Sequence, residues 1–219
     1  RSKAAEHDFQ QWLEAAAKTP SDVVVVPEDH LLHAALDETK GRGVKVDSPG
    51  EIRGRLNGAV KWTAGRLGNA FDCDGGTFIA LGEAANFDGS HGFSYGCWIR
   101  PQGAGSGAPV ARMNNGNAFR GYDLHLSQGV VEPHIISKWP QDAIKVRTKR
   151  KLTPDTWQHV FVTYDGSGQA AGVCVYVNGE LWDWTIEQDG LSGPVTSKGP
   201  FYIGRRNGGS QYKGRVDEV

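Results

Sequence analysis

The sequence is short of the features that mark most functional classes. It holds three cysteines, Cys73, Cys97 and Cys174, none in a CxxC spacing, which excludes a cysteine-based zinc or dithiol motif. An odd count leaves at least one thiol free, and small buried residues inside strands are the plain reading. Export would permit one disulfide, with the pairing left open. No run of about 18 apolar residues exists, so no membrane-spanning helix is expected; the continuous stretch Val23–Val26 is far too short. The formal net charge is −1, from 24 basic and 25 acidic residues, so whole-chain electrostatics give no argument for nucleic acid or a membrane surface. There is no GxSxG elbow, no ordered Ser/His/Asp set and no signal peptide at Arg1-Ser2-Lys3. Neither the opening nor the last residues, Val216-Asp217-Glu218-Val219, reads as a natural terminus, so the chain is expected to be cut from a longer protein.

Helical apolar spacing is scarce as well. It occurs once, over residues 4–18, where Phe9, Trp12, Leu13 and Ala16 recur at i, i+3, i+4 and i+7 before Thr19-Pro20 ends the pattern. Glycine is abundant instead, 30 residues, and the rest of the chain reads as roughly a dozen short strands joined by tight turns. The strongest is Thr156–Gly166, in which Val160, Val162 and Tyr164 share one face and Trp157, His159 and Phe161 the other. Val173, Val175 and Val177 repeat the alternation, and Asn178-Gly179 after them is a hairpin signal because both residues tolerate positive φ. The expected fold is all-β, a two-sheet antiparallel β-sandwich with one N-terminal helix, divided into a helix and connector over residues 1–29 and a sandwich domain over 30–219.

Six segments then fall in an order that resembles the LamG-like jelly roll of the concanavalin A-like lectin/glucanase superfamily. They are Leu36-Asp37-Glu38, the turn-and-strand Gly65–Asp72, the strand Phe93–Pro101, the Trp157–Gly166 stretch, the Tyr176–Gly179 hairpin, and the closing pair Tyr202–Gly204 and Gly214–Val219. A narrower similarity, carried by the Ala/Trp-rich helix with Ser137–Pro140 and Ala143–Arg147, is to a module embedded in large planctomycete cytochrome c-like proteins, which would imply export to the periplasm or cell surface. The resemblance also places Trp62, Trp98 and Trp157 in the core, gives His159 a scaffold role, and implies a structural calcium ion between the loop after the first strand and the last strand. Asp37 and Asp217 would be its carboxylate ligands, helped by carbonyls of a turn such as Asp74-Gly75.

The superfamily contains glucanases, but the alternating acidic triplet that would set two carboxylates on one strand face is missing. His125 and His134 sit on separate strands with no third metal ligand in view, and read as solvated or hydrogen-bonded histidines. A sugar site needs an exposed aromatic plane flanked by polar groups. Trp139, beside Pro140, and Trp182 and Trp184, on one face of a strand, are the candidates, with Tyr122 lining the same sheet. The basic run Lys145–Lys151, with Arg147 at its centre, either greets an anionic partner or protects a solvated edge. The function these features point to is a non-catalytic binding module, for carbohydrate, in a larger exported protein. A structural or protein-interaction domain packing on its neighbours is the alternative, and a glycoside hydrolase a remote third.

Overall fold

The computed structural model describes residues 26–59 and 61–219. The helix expected over residues 4–18 lies outside the described residues. Leu31–Val219 form one compact unit. Its strands in chain order are β1 (Gly43–Val44), β2 (Gly54–Asn57), β3 (Trp62–Ala64), β4 (Asn69–Asp74), β5 (Phe78–Ala80), β6 (Phe93–Pro101), β7 (Gly107–Asn114), β8 (Arg120–Ser127), β9 (Val130–Val131), β10 (His134–Lys138), β11 (Asp142–Thr148), β12 (Gln158–Tyr164), β13 (Val173–Val177), β14 (Glu180–Leu181), β15 (Trp184–Gly190), β16 (Tyr202–Ile203) and β17 (Lys213–Asp217). Ten of them form one sheet, ordered β1-β2-β5-β16-β7-β8-β10-β11-β15 with β9 on β8, and seven form the other, ordered β14-β13-β12-β6-β17-β4-β3. Every ladder is antiparallel. Among the described residues the only helical turn is the short Ala170–Gly172 segment. The all-β, two-sheet antiparallel sandwich is therefore what the chain forms.

The core lies between the sheets and follows from alternation. Val160, Val162 and Tyr164 of β12 are buried opposite Val177, Val175 and Val173 of β13. Phe93, Tyr95, Cys97 and Ile99 of β6 join them on the inner face. The hairpin from β13 to β14 turns on Asn178 at φ 52° and Gly179 at φ 80°, the positive values a two-residue loop needs. Aromatic rings cross the sandwich: Tyr122 of β8 stands 4.9 Å from Tyr95 and 5.2 Å from Phe93. Its hydroxyl donates to the Ala85 carbonyl at 2.6 Å, so the one polar atom on this buried ring is satisfied.

Several expectations are corrected here. Trp62, Trp98 and Trp157 are half-buried, not central. Trp98 shares β6 with inward-facing Cys97 and Ile99, and strand parity turns it to the outer face, under the Arg66 guanidinium at 5.0 Å and beside His159 at 5.3 Å. Residues 31–36 are no regular strand. They are tied in by Ala34, which exchanges backbone hydrogen bonds of 2.8 and 3.0 Å with Val219. The basic segment forms β11, which is no edge strand, because β15 pairs along it. All three cysteines are free, and burial pushes the Cys73 and Cys97 thiols well above their ordinary range.

Candidate functional site

Strand β8 reads Arg-Gly-Tyr-Asp-Leu-His-Leu-Ser. Tyr122, Leu124 and Leu126 enter the core, so Asp123 and His125 must face the other way. The same parity turns His134 and Ile136 of β10 outward, and Ala143, Lys145 and Arg147 of β11. Register then sets His134 directly between Asp123 and Lys145, a row across three neighbouring strands on the outer face of the ten-stranded sheet. Gly121, at φ 128°, lets β8 approach β7 closely here: a Cβ would run into the Arg112 carbonyl.

The row is one ionic network. Asp123 is 0% exposed, and its Oδ1 accepts from His134 Nδ1 at 2.9 Å while Oδ2 accepts from Arg206 Nε. Arg206 Nη2 also lies 3.1 Å from His134 Nδ1. One ring nitrogen cannot donate to a carboxylate and accept from a guanidinium at once. The charge-assisted bond to Asp123 decides the tautomer: the proton sits on Nδ1 and the lone pair on Nε2. No described residue hydrogen-bonds to Nε2, and the atom is not sealed from solvent. Beyond His134, Glu132 takes Arg147 Nε at 2.8 Å on Oε1 and Lys145 Nζ at 3.3 Å on Oε2. Glu187 of β15 takes Lys145 at 2.6 Å and Arg147 at 3.0 Å. His125 Nδ1 stands 3.7 Å from Glu132, too far for a hydrogen bond, and is buried without a partner.

Three cations, Lys145, Arg147 and Arg206, thus balance three carboxylates, Asp123, Glu132 and Glu187. Burial alone would raise the Asp123 carboxyl, but Arg206 and His134 hold it well below the usual range. Burial likewise opposes the ionised form of Glu132, yet the adjoining His125 and the Lys145 and Arg147 cations bring it down to about 2. Burial pushes His134 below its ordinary value, keeping it neutral near pH 7. An apolar patch adjoins the network: buried Met113, Ile136 and Ala143, with Phe119 and Trp139 packed on them. The Trp139 ring meets His134 edge-on at 5.8 Å. The face therefore joins a half-buried indole to a row of donors and acceptors with no net charge. A metal ion fits it poorly, because cations already occupy the carboxylates, and no group of three His, Cys, Asp or Glu among the described residues is placed to hold one.

Of the residues expected to bind, Trp139 and Arg147 belong to this face. Tyr122 does not: it is 1% exposed, on the core side of β8. Trp182 does not either, at 5% exposed. The strand expected to carry both Trp182 and Trp184 breaks between them, because the chain leaves the seven-stranded sheet after β14 and enters the ten-stranded sheet at β15. Trp182 falls in the crossing and is buried, with Arg150 over its ring at 4.5 Å, and Trp184 packs partly buried against the core. Arg147 is committed to Glu132 and Glu187, so the basic strand is no open anion site. Asp123, Glu132, Glu187 and Arg206 were missed in the sequence. The signal for Asp123 was the strict alternation of β8, which puts a charged residue out wherever Tyr122 and Leu124 go in.

Asp37 and Asp217 meet elsewhere, at the Gly65–Asn69 turn. Asp217 Oδ2 accepts from the Arg66 and Leu67 amides at 2.7 and 3.0 Å, and Asp37 Oδ1 from the Asn69 amide at 2.7 Å. Asp217 Oδ1 is buried with no partner, and burial pushes the carboxyl up to about 6, with Glu218 and Asp37 adding. An orphaned carboxylate oxygen beside a second acid supplies two of the roughly six to eight oxygens a calcium ion takes, and no third acid or histidine among the described residues is placed to join them. The Asp74-Gly75 turn, whose carbonyls were expected to help, lies at the far end of the β4–β17 ladder, where Asp74 pairs with Lys213.

A family model described as the concanavalin A-like lectin/glucanases superfamily matches residues 74–219. No curated protein sequence matches the chain. Among solved structures, the botulinum neurotoxin serotype D/C VPI 5993 binding domain is similar at 13% identity and TM-score 0.60, over 86% of this chain and 47% of that one. A botulinum neurotoxin DC binding domain in complex with SialylT is similar at 14% identity and TM-score 0.59, over 87% and 47%. Domain 4 of AbnA, an extracellular GH43 arabinanase of Geobacillus stearothermophilus solved with arabinotriose, is 17% identical at TM-score 0.49, over 86% and 90%. The chain spans about half the length of the toxin binding domains it matches. At these identities the likeness is one of fold. No helix among the described residues is long and apolar enough to cross a membrane.

Proposed function

We propose that this chain, which belongs to the concanavalin A-like lectin/glucanases superfamily, is a non-catalytic binding module for a carbohydrate within a larger exported protein. The ligand is a neutral sugar, held on the outer face of the ten-stranded sheet beside Trp139. The observation that carries this is the pairing of a half-buried indole with a charge-balanced network in which His134 Nε2 has no hydrogen-bond partner among the described residues. A pyranose offers an apolar face for the ring and hydroxyls that donate to Nε2 and accept from Arg147 or Lys145. An anionic ligand would have to displace Glu132 or Glu187 from those cations. Toxin binding domains of this fold, one solved with SialylT, support a binding role in general.

The non-catalytic reading is supported by the carboxyls of this face. A glycosidase acid must keep its proton at working pH, and Asp123 and Glu132 are both driven the other way. Calcium, if bound, would sit on Asp217 Oδ1 with Asp37 nearby; it would neutralise two acids and fix the turn. A protein-interaction role is favoured by a separate observation: Leu181 and Ile186, at 57% and 48% exposed, stand out on β14 and β15.

Isothermal titration against neutral oligosaccharides tests the main reading. Trp139→Ala should weaken the best neutral ligand at least tenfold, the equivalent of about 1.4 kcal/mol of lost ring contact. Absence of binding to every neutral sugar, or wild-type affinity in the variant, removes it. Loss of a protein partner's binding on Leu181→Ser with Ile186→Ser, with no sugar bound, would establish the second role.

A further inference from the structure

A shallow, open depression of about 500 Å³ forms a cleft between residues 39–42 and Trp62, lined by Thr39, Lys40, Gly41, Arg42, Lys61 and Trp62. The segment leads into β1 and the indole stands on β3, the terminal strands of the two sheets. β11, β14 and β15 lie at the other ends of the two strand orders, so the cleft is separate from the Trp139 face. The indole is anchored: Trp62 tilts against core Phe71 at 5.8 Å, and its Nε1 is shielded without a partner. The facing segment is anchored too, where the Arg42 carbonyl accepts from Leu56 N at 2.9 Å. Beside it the chain is open, since a Cβ on Gly41 or Gly43 would meet nothing within 4 Å.

The charge here is one-sided. Lys61 is paired with Asp72 at 2.9 Å, but neither Lys40 nor Arg42 has a carboxylate partner among the described residues. No acid lines the cleft. Two cations without a carboxylate partner thus stand beside a fixed half-buried indole. It contrasts with the Trp139 face, where Lys145, Arg147 and Arg206 are each paired with a carboxylate.

We propose that this cleft is a second binding site, for a sugar ring that carries a sulfate or carboxylate group. The exposed part of the Trp62 indole takes the apolar face of the ring. Arg42 offers its planar fork to the anion and Lys40 a mobile second charge. The Thr39 hydroxyl lies within the same lining for a ring hydroxyl. The site does not rest on the neutral-sugar reading, and either can stand without the other.

Titration of the whole chain with four probes tests it: a heparin-derived tetrasaccharide, tetragalacturonate, a neutral cellotetraose and pentaglutamate. At least one anionic sugar should bind, more weakly as salt rises. Replacing both exposed cations (Lys40→Gln with Arg42→Gln) should weaken it about tenfold or more, with an unchanged circular dichroism spectrum confirming the fold. Trp62→Phe, which keeps the contact with Phe71, should weaken the sugar severalfold. Trp139→Ala should leave it unchanged, which separates this site from the other. The sulfated and uronate arms identify the anion. Failure of both anionic sugars to bind, wild-type affinity in the double variant, or equal binding of pentaglutamate would overturn the proposal.

Discussion

Asp217→Asn probes the part of the fold where an acid is held against its own preference. Asp217 is fully buried; Oδ2 takes two backbone amides and Oδ1 none. Burial lifts its carboxyl from 3.8 to about 6. The folded state therefore holds this proton more tightly than the unfolded chain does. The resulting stabilisation is complete below pH 3.8 and is lost as pH rises through about 6. A gap of about two units corresponds to about 3 kcal/mol, or roughly 6–12 °C in Tm for a domain of this size. Asparagine keeps an oxygen for the Arg66 and Leu67 amides and removes the charge, so this component disappears. His134 works in the opposite direction: its value is lowered, and it contributes stability at neutral pH that is lost on acidification. The comparison of wild type with variant cancels it. In EDTA, calorimetry from pH 4 to 7.5 should show the variant gaining on wild type by several degrees across the range. Added calcium at pH 7.5 should raise the wild-type Tm and leave the variant unmoved. Parallel curves in EDTA would refute the buried-acid argument, and a calcium response in both proteins would refute Asp217 as the ligand.

Asp123→Asn should lower stability by about 3–5 kcal/mol, because Arg206 loses the buried carboxylate it faces; urea denaturation that shows no change would contradict this. Glu132, lowered to about 2, contributes stability that is complete above pH 4.5 and is lost as pH falls toward 2. Glu132→Gln should flatten that acid limb in a Tm-versus-pH series, and an unaltered limb would count against the ion pairs. Trp182→Ala should open a cavity in the core and cost about 3–5 kcal/mol in Tm-derived stability without touching sugar affinity; reduced affinity in a folded variant would return Trp182 to the binding surface.

Much of the fold could be read where one residue type dominates one parity. β12 and β13 were legible because Val160, Val162, Val173, Val175 and Val177 alternate without interruption, and Asn178-Gly179 marks their turn. Where the chain changes sheets, alternation carries no information. Trp182 and Trp184 look like partners on one strand, but β14 and β15 belong to different sheets. The candidate site was partly visible. His125 and His134 stood out individually, but their meeting at 5.7 Å depends on the β8–β10 register, which joins residues 11 apart through a turn of unknown length. Arg206 was beyond reach, since it comes to Asp123 from 83 residues away. The basic run misled for the same reason: Lys145 and Arg147 look uncompensated along the chain, while their acids lie on β15 and just before β10.

The most direct test of the neutral-sugar face is an amide and indole chemical-shift map of the ¹⁵N-labelled chain titrated with the neutral oligosaccharide that binds best. Shifts should concentrate on the Trp139 indole, on residues 119–125 and 134–147, and on Arg206, with the His134 Nε2 resonance moving as it gains a donor. Shifts confined to other surfaces, or none at saturating sugar, would contradict the assignment of the outer face of the ten-stranded sheet.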